Sequence, residues 1–414
     1  MQTLKWVGRS RLLESACALL IFVSLARGIS IDLSAAGADP IFLLCWVTIL
    51  LIGVDTALRG VVRIKSASLA VVIFCSGLLL AALLNGTEPQ GAMTIVNYLP
   101  AAGMAYYLAG NQPHLLARTL LVVQVFHVIV AALELTLGRT FVYSTWKLLE
   151  ATYVNGVPRV SSTIGDPNYF ALAMLCTSVL LLHFSRELGL SSYYKWAAGV
   201  GLVLVLFTFS RAGILGVALV SAHLLLSNRR GLVRALIAAP YALLVVIASM
   251  VLVPPVARIA DSVFSRFAGV FESDASISSR LKYQSFGIDT LAQSGFLGVG
   301  PGEFESLSLQ LYDPSKPLDL QTQVLNTYLE ALLAGGVLAL ASLLYLIVSA
   351  FRRQGGIRSS YGALIIALLF VISTLDTLEF VFLWLVIGCG LGFVSGEVSS
   401  RDANIGDSRQ LQQR

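Results

Sequence analysis

Charge is what this sequence has least of. Only 12% of its 414 residues are Asp, Glu, Lys or Arg, against 57% that are hydrophobic. A soluble domain carries about 25% charged residues, so roughly half of the usual complement is missing. Such a chain cannot clothe itself in polar surface, which excludes an ordinary soluble fold and leaves lipid as the fitting solvent. Histidine is scarce as well: the four are His114, His127, His183 and His223. No His, Cys, Asp or Glu spacing resembles a metal site, so metal-free chemistry without a cofactor is expected. Cys17, Cys45, Cys75, Cys176 and Cys389 all lie in apolar stretches and none forms a CxxC pair, which excludes a disulfide framework. No GK[ST] follows Gly298, Gly300 and Gly302, and Pro301 stands where a dinucleotide fold needs helix, so these glycines permit a tight turn instead.

What is present is a series of apolar runs long enough to cross a bilayer, where a helix needs about 20 residues. Twelve spans are expected, at 12–30, 40–58, 67–84, 92–109, 115–138, 167–184, 195–209, 212–227, 235–253, 327–350, 360–375 and 378–396. The fold class is therefore an all-α polytopic membrane protein with one transmembrane domain, 1–396, and a polar tail, 397–414. The net charge of +5 does not indicate nucleic acid. The N-terminus, Arg59/Arg63/Lys65, Arg118, Arg186/Lys195, Arg229/Arg230/Arg234 and Arg352/Arg353/Arg358 alternate with spans in a way that puts every basic cluster on one side. Both termini are then expected in the cytoplasm. Asp32/Asp39, Glu88 and Asp376/Glu379 fall outside, with two long loops at 139–166 and 254–326. Loops of that length usually carry function. The second contains two segments, 255–271 and 278–294, with the mixed pattern of helices lying along a membrane surface.

Candidate chemistry sits at the outer ends. Ser210-Arg211 separates two short apolar helices, and an arginine at that depth faces a cavity or an anion more readily than lipid. The alternative is snorkelling to headgroups. Arg159 lies just before Asp166-Pro167, an apt helix start because Asp caps and Pro suits the first turn. A cation beside a helix N-terminus suits a bound anion, although a capping turn with a surface arginine fits the spacing equally. The second loop offers Arg258, Arg266, Arg280 and Lys282. Glu303, Glu305 and Glu330 are the nearest carboxylates that could act as a base. His127, mid-span with Gln124 and Glu134, reads as an interhelical polar contact.

In order, Arg159, Gly165-Asp166-Pro167-Asn168, Thr208-Phe209-Ser210-Arg211-Ala212-Gly213, Arg280, Gly298-Val299-Gly300-Pro301-Gly302-Glu303-Phe304 and Asn326-Thr327-Tyr328-Leu329-Glu330 resemble the O-antigen ligase/polymerase superfamily of bacterial membrane glycosyltransferases. The resemblance covers roughly residues 150 to 340. It implies transfer of a glycan from undecaprenyl diphosphate at the periplasmic face of the inner membrane, without nucleotide sugar or metal. It further implies Arg211 and Arg280 on the diphosphate, Arg159 orienting the glycan or sharing that role, and Asn168, Ser210, Asn326 and Gly300 in substrate binding. Its partners would be the lipid-linked glycan, the bilayer, a chain-length regulator and a flippase. Ligases of the superfamily carry a histidine directly before the Asn that opens the late span; here that residue is Leu325. The departure favours a Wzy-type polymerase that joins repeat units of O-antigen, capsule or exopolysaccharide. A ligase delivering glycan to lipid A core or another acceptor is the alternative. A transporter of lipid-linked glycan ranks lower, because residues 1–200 and 201–396 show no similarity to each other.

Overall fold

In the computed structural model, the described residues are 2–27, 40–58, 66–87, 89–142, 147–150, 152–154, 156–226, 261, 275–311 and 324–393. The expected span 235–253, most of the segment 255–271 and the tail 397–414 lie outside them. The helices are α1 (Gln2–Arg27), α2 (Pro40–Leu58), α3 (Ser66–Asn85), α4 (Pro89–Val96), α5 (Leu99–Asn111), α6 (Pro113–Leu137), α7 (Pro167–Glu187), α8 (Ser192–Phe207), α9 (Arg211–Leu226), α10 (Ala275–Gln293), α11 (Glu303–Ser308), α12 (Thr327–Arg353), α13 (Ser360–Val371) and α14 (Val381–Gly392). By length and composition α3, α6, α7 and α12 can each cross a membrane; α8, α9, α13, α14 and part of α2 are shorter apolar helices.

The patterning of α6 shows which solvent the bundle is built for. Val122, Val125, Ile129, Leu133 and Leu137 are exposed at helical spacing, while Gln124, His127 and Glu134 are buried on the opposite face. A soluble helix does the reverse. The buried polar groups are all engaged: Gln124 Nε2 donates to Ser178 Oγ at 3.1 Å, Thr177 Oγ1 donates to Gln124 Oε1 at 2.6 Å, and both ring nitrogens of His127 have partners, Ser162 Oγ at 2.9 Å and the Leu25 carbonyl at 3.2 Å. His127 is thus an interhelical contact. Close packing elsewhere relies on small residues. A Cβ at Gly388 or Gly392 of α14 would fall 2.2 Å from the carbonyl oxygens of Ala102 and Tyr106 in α5, so the two backbones touch directly.

The structure adds detail to the expected pattern in three places. The span expected at 92–109 is broken into α4 and α5 by a turn at Asn97-Tyr98. Pro100 in the first turn of α5 lacks the N–H that a continuous helix would use. The 139–166 segment is not all coil: Arg139–Val142 (β1) pairs antiparallel with Lys147–Glu150 (β2), and Tyr153–Val154 (β3) with Val157–Pro158 (β4). Lastly, α12 is interrupted at Gly335 and Gly336, the latter at φ 65°, ψ −162°, a region open essentially to glycine alone.

The loop 295–302 fills that interruption. Val299 and Gly300 donate their backbone N–H groups to the Leu333 carbonyl at 2.7 and 3.2 Å, and Val337 N–H donates to the Phe296 carbonyl at 3.3 Å. Asn85 at the end of α3 donates to the Gly298 carbonyl at 3.1 Å. The orphaned backbone groups of the broken helix are therefore satisfied inside the protein, as membrane depth demands. Beyond the break, α10 and α11 pack on the start of α12 through a small satellite core of Leu291, Val299, Phe304, Val324, Leu329 and Leu333. The expected surface helix at 278–294 is thus α10, with one face, including Tyr283 and Leu291, buried against protein.

Candidate functional site

The segment leading into α7 is held from below by one carboxylate. Glu134 accepts from Ser161 N–H at 3.0 Å, Ser162 N–H at 2.8 Å, Ser161 Oγ at 3.0 Å and the Thr140 hydroxyl. Thr163 Oγ1 donates to the Ala26 carbonyl at 2.5 Å, tying the same segment to α1. Asp166 then caps α7, accepting from Asn168 N–H at 2.6 Å and Tyr169 N–H at 3.2 Å, with Pro167 in the first turn. Asn168 is half-buried at that helix start.

Arg159 reaches across to the break between α8 and α9. Its Nε donates to the Thr208 carbonyl at 2.9 Å, and Val160 N–H donates to the Phe207 carbonyl at 3.0 Å. These are the carbonyls that a helix C-terminus leaves without intrahelical partners. Phe209 turns the chain with φ 51°, and Ser210, 1% exposed, caps α9 by accepting from Gly213 N–H at 3.3 Å. Arg211 is the first residue of α9 and half-buried.

The third assembly surrounds the turn between α13 and α14. Asn326 caps α12, accepting from Tyr328 N–H at 3.0 Å and Leu329 N–H at 3.2 Å, and Leu325 before it adopts φ 48°. Thr327 Oγ1 donates to the Leu375 carbonyl at 2.6 Å and lies 2.8 Å from Thr377 Oγ1. Glu330 Oε2 accepts from Thr377 N–H at 3.1 Å and Leu378 N–H at 3.3 Å. From α7, Tyr169 Oη donates to the Asp376 carbonyl at 2.9 Å and also to its carboxylate. From α10, Arg280 Nη1 donates to the Thr374 carbonyl at 3.1 Å. Trp384 Nε1 in α14 donates to the Leu378 carbonyl at 2.7 Å. One short turn thus receives side chains from α7, α10, α12 and α14.

Electrostatically the turn is acidic with one cation beside it. Burial raises the Asp376 carboxyl above its ordinary range, while the Tyr169 hydrogen bond and the Arg280 charge pull it back. Glu379 presents accessible surface, yet the surrounding protein still desolvates its carboxyl. That desolvation, with the negative charges of Glu305 and Asp376, pushes its carboxyl up to about 7. Glu305 is also raised, by burial and then by Asp376.

The two assemblies share one end of the bundle. A Cβ at Gly213 would meet Ala171 Cβ at 2.5 Å, and one at Gly216 would meet Val371 Cγ2 at 3.2 Å. Helix α9, headed by Arg211, therefore runs against the first turns of α7 and the end of α13. Arg159, Ser210 and Arg211 cluster at the α8–α9 break; Arg280, Asn326, Glu330 and Glu305 gather about the 372–380 turn, with Asn168 next to its anchor Tyr169. Glu303 opens α11, half-buried. Gly300 sits apart from these side chains, buried in the seam where a Cβ would lie 2.6 Å from Thr87 Oγ1. Tyr169, Asp376 and Glu379 escape a reading of the sequence as site residues. Asp376-Thr377-Leu378-Glu379, two carboxylates in a short connection between apolar runs, was the available signal, but it serves there only as a marker of sidedness.

No curated protein matches the chain. The O-antigen ligase family model matches residues 196–344, a segment that contains Ser210, Arg211, Arg280, Glu305, Asn326 and Glu330 but neither Arg159 nor the 372–380 turn. Over that segment the chain is similar to the O-antigen ligase family.

Proposed function

We propose that this protein polymerises undecaprenyl-diphosphate-linked oligosaccharide repeat units at the periplasmic face of the bacterial inner membrane, with both termini in the cytoplasm. Action on lipid-linked glycans is supported by the similarity to the O-antigen ligase family over residues 196–344; the choice of polymerisation rests on Leu325, which stands where ligases of the superfamily carry a histidine. The observation that supports the reading is that Arg159 and Arg211 lie at the α8–α9 break and Arg280 at the 372–380 turn, toward the same end of the helix bundle. In this reading Arg211 and Arg280 hold the diphosphate at headgroup depth while its polyprenyl tail stays in lipid. Arg159 orients the glycan. Arg159 and Arg280 are each oriented by a hydrogen bond to a backbone carbonyl. As the glycosidic bond breaks, negative charge grows on the departing diphosphate, and preoriented guanidinium groups stabilise it most in the transition state.

The test is the lipid-linked glycan of a deletion strain. Single repeat units should accumulate on the carrier and long polymer should vanish. Unchanged long polymer would refute the reading. Normal-length polymer stranded on the carrier would instead establish the ligase alternative, in which finished glycan goes to another acceptor. Turnover of lipid-linked glycan by purified protein in detergent, where no membrane separates two sides, excludes a transporter.

A further inference from the structure

We infer that Glu379 is the general base that takes the proton from the acceptor sugar hydroxyl, an assignment that rests on the glycosyl-transfer reading above. The argument begins with how the residue is displayed. Thr377, Leu378 and Phe380 around it are fully buried, while Glu379 itself is exposed. Phe380 packs against Tyr169 and Phe382, with ring centroids 5.3 and 5.0 Å apart. The main chain leading into it, residues 374–378, is fixed by Tyr169, Arg280, Thr327, Glu330 and Trp384. A turn pinned by five side chains from four helices leaves one carboxylate facing outward on a rigid mount, which is what a preorganised proton acceptor needs.

Two of the neighbouring carboxylates, Glu330 and Asp376, are otherwise employed. Glu330 is a brace, since its Oε2 is held by two backbone N–H groups of the turn. Asp376 takes the Tyr169 hydroxyl and feels the Arg280 charge. Glu305 rides on the six-residue α11, anchored by the buried Phe304 and Ser308. Among the described residues no hydrogen bond holds the Glu379 carboxylate. The titratable groups around it are Glu305 from α11, Asp376 on its own turn and Glu330 from α12, and the Arg280 charge of α10 acts on Asp376. Burial first, then the charges of Glu305 and Asp376, raise the proton affinity of Glu379, and a base titrating near neutrality suits acid–base work at physiological pH.

The step balances without a co-reactant. The acceptor oxygen forms the new bond to the anomeric carbon as its proton passes to the Glu379 carboxylate. The bond from the anomeric carbon to the diphosphate breaks, and its electron pair leaves with the diphosphate. Glu379 then returns its proton to water.

The experiment uses the full-length protein in detergent, with undecaprenyl-diphosphate-linked repeat units as donor and acceptor, and compares Glu379→Gln and Glu379→Asp with the wild type. Thermal unfolding confirms that each variant is folded. Glu379→Gln should lower kcat by about 10²-fold or more with the donor KM within a few-fold of wild type. Glu379→Asp should retain an intermediate rate. Wild-type kcat should fall as pH drops through about 7, and that limb should disappear in Glu379→Gln. Wild-type kcat and an unchanged limb in Glu379→Gln would overturn the assignment. Transfer to a non-carrier acceptor in place of chain lengthening would overturn the polymerase reading alone, the base then being judged by the same comparison on that reaction. No transfer of either kind overturns both.

Discussion

The seam between loop 295–302 and the interrupted helix α12 can be probed by a pair of alanine substitutions. Gly295 and Gly298 both have left-handed backbone, at φ 61° and 84°, so an added Cβ costs each about 1–2 kcal/mol of strain. They differ in space. At Gly295 a Cβ meets nothing within 4 Å; at Gly298 it would fall 2.7 Å from Gly336 N and 2.9 Å from the carbonyl oxygens of Leu332 and Leu333. Those neighbours are backbone and cannot rotate away, so the loop must lift. Overpacking of that kind costs roughly 1–3 kcal/mol. Lifting also endangers the Val299 N–H bond to the Leu333 carbonyl, worth about 1 kcal/mol. Gly298→Ala should therefore lose about 3–6 kcal/mol in total, against about 1–2 kcal/mol for Gly295→Ala. The assay is thermal unfolding of the purified protein in detergent, with both variants side by side. Equal shifts in Tm would show that the loop does not sit in the break of α12, and would refute this account of how α11 and its carboxylates are positioned.

Further outcomes follow from the two side-chain assemblies. Arg280→Ala and Arg211→Ala should each cost about 3 kcal/mol of transition-state stabilisation, seen as a loss of roughly 10²-fold in polymer formation. Lysine at either position should restore only part of it, because the planar fork is lost; full rescue by lysine would reduce each role to a point charge. Glu134→Ala should destabilise the fold by about 3 kcal/mol or more, since it strands two buried backbone N–H groups at Ser161 and Ser162. A Tm in detergent within a degree of wild type would contradict that bracing role. Tyr169→Phe removes one hydroxyl that anchors the 372–380 turn and should lower kcat more than it raises the donor KM. A pure KM effect would place the hydroxyl on the substrate instead.

Much of the bundle was legible because lipid writes a simple rule into sequence: apolar runs of set length, with basic residues collecting on one side. The helices α3, α6, α7 and α12 follow the expected spans closely for that reason. The breaks were less legible. Gly335-Gly336 reads as a small-residue pair inside an apolar run, and only the incoming loop 295–302 explains why the helix can open there without leaving polar backbone in hydrocarbon. The site divided along similar lines. Arg211 stood out because a cation is expensive beside lipid, and Arg280 through its place in the motif series that resembles the superfamily. Asp376 and Glu379 did not, because two acids between spans are equally consistent with a plain external turn. Their significance comes from contacts more than 200 residues apart in sequence, such as Tyr169 with Asp376.

The elevated proton affinity of Glu379 also bears on stability, and it separates a functional carboxylate from a structural one. Its folded value, about 7, lies above the ordinary 4.5. A group raised on folding contributes stability that is fully present below the unfolded value and is lost as pH rises through the folded one. Across the window from about 4.5 to 7, the fold should therefore weaken as Glu379 ionises among Glu305, Asp376 and Glu330. Because the side chain is partly accessible, solvent screens much of this effect, so the observable is the direction. The neutral isostere Glu379→Gln removes the ionisation, and its Tm at pH 8 should exceed that of the wild type even as its turnover collapses. At pH 4.5, where the wild-type carboxyl is itself protonated, the two Tm values should converge. A structural acid would do the opposite, since losing a stabilising carboxylate lowers Tm at pH 8 and spares it at low pH. A drop in Tm for Glu379→Gln at pH 8 would show that the carboxylate is held by favourable partners, and a group so held is a poor proton acceptor. A gain in stability purchased with activity is what a strained functional position yields when it is neutralised.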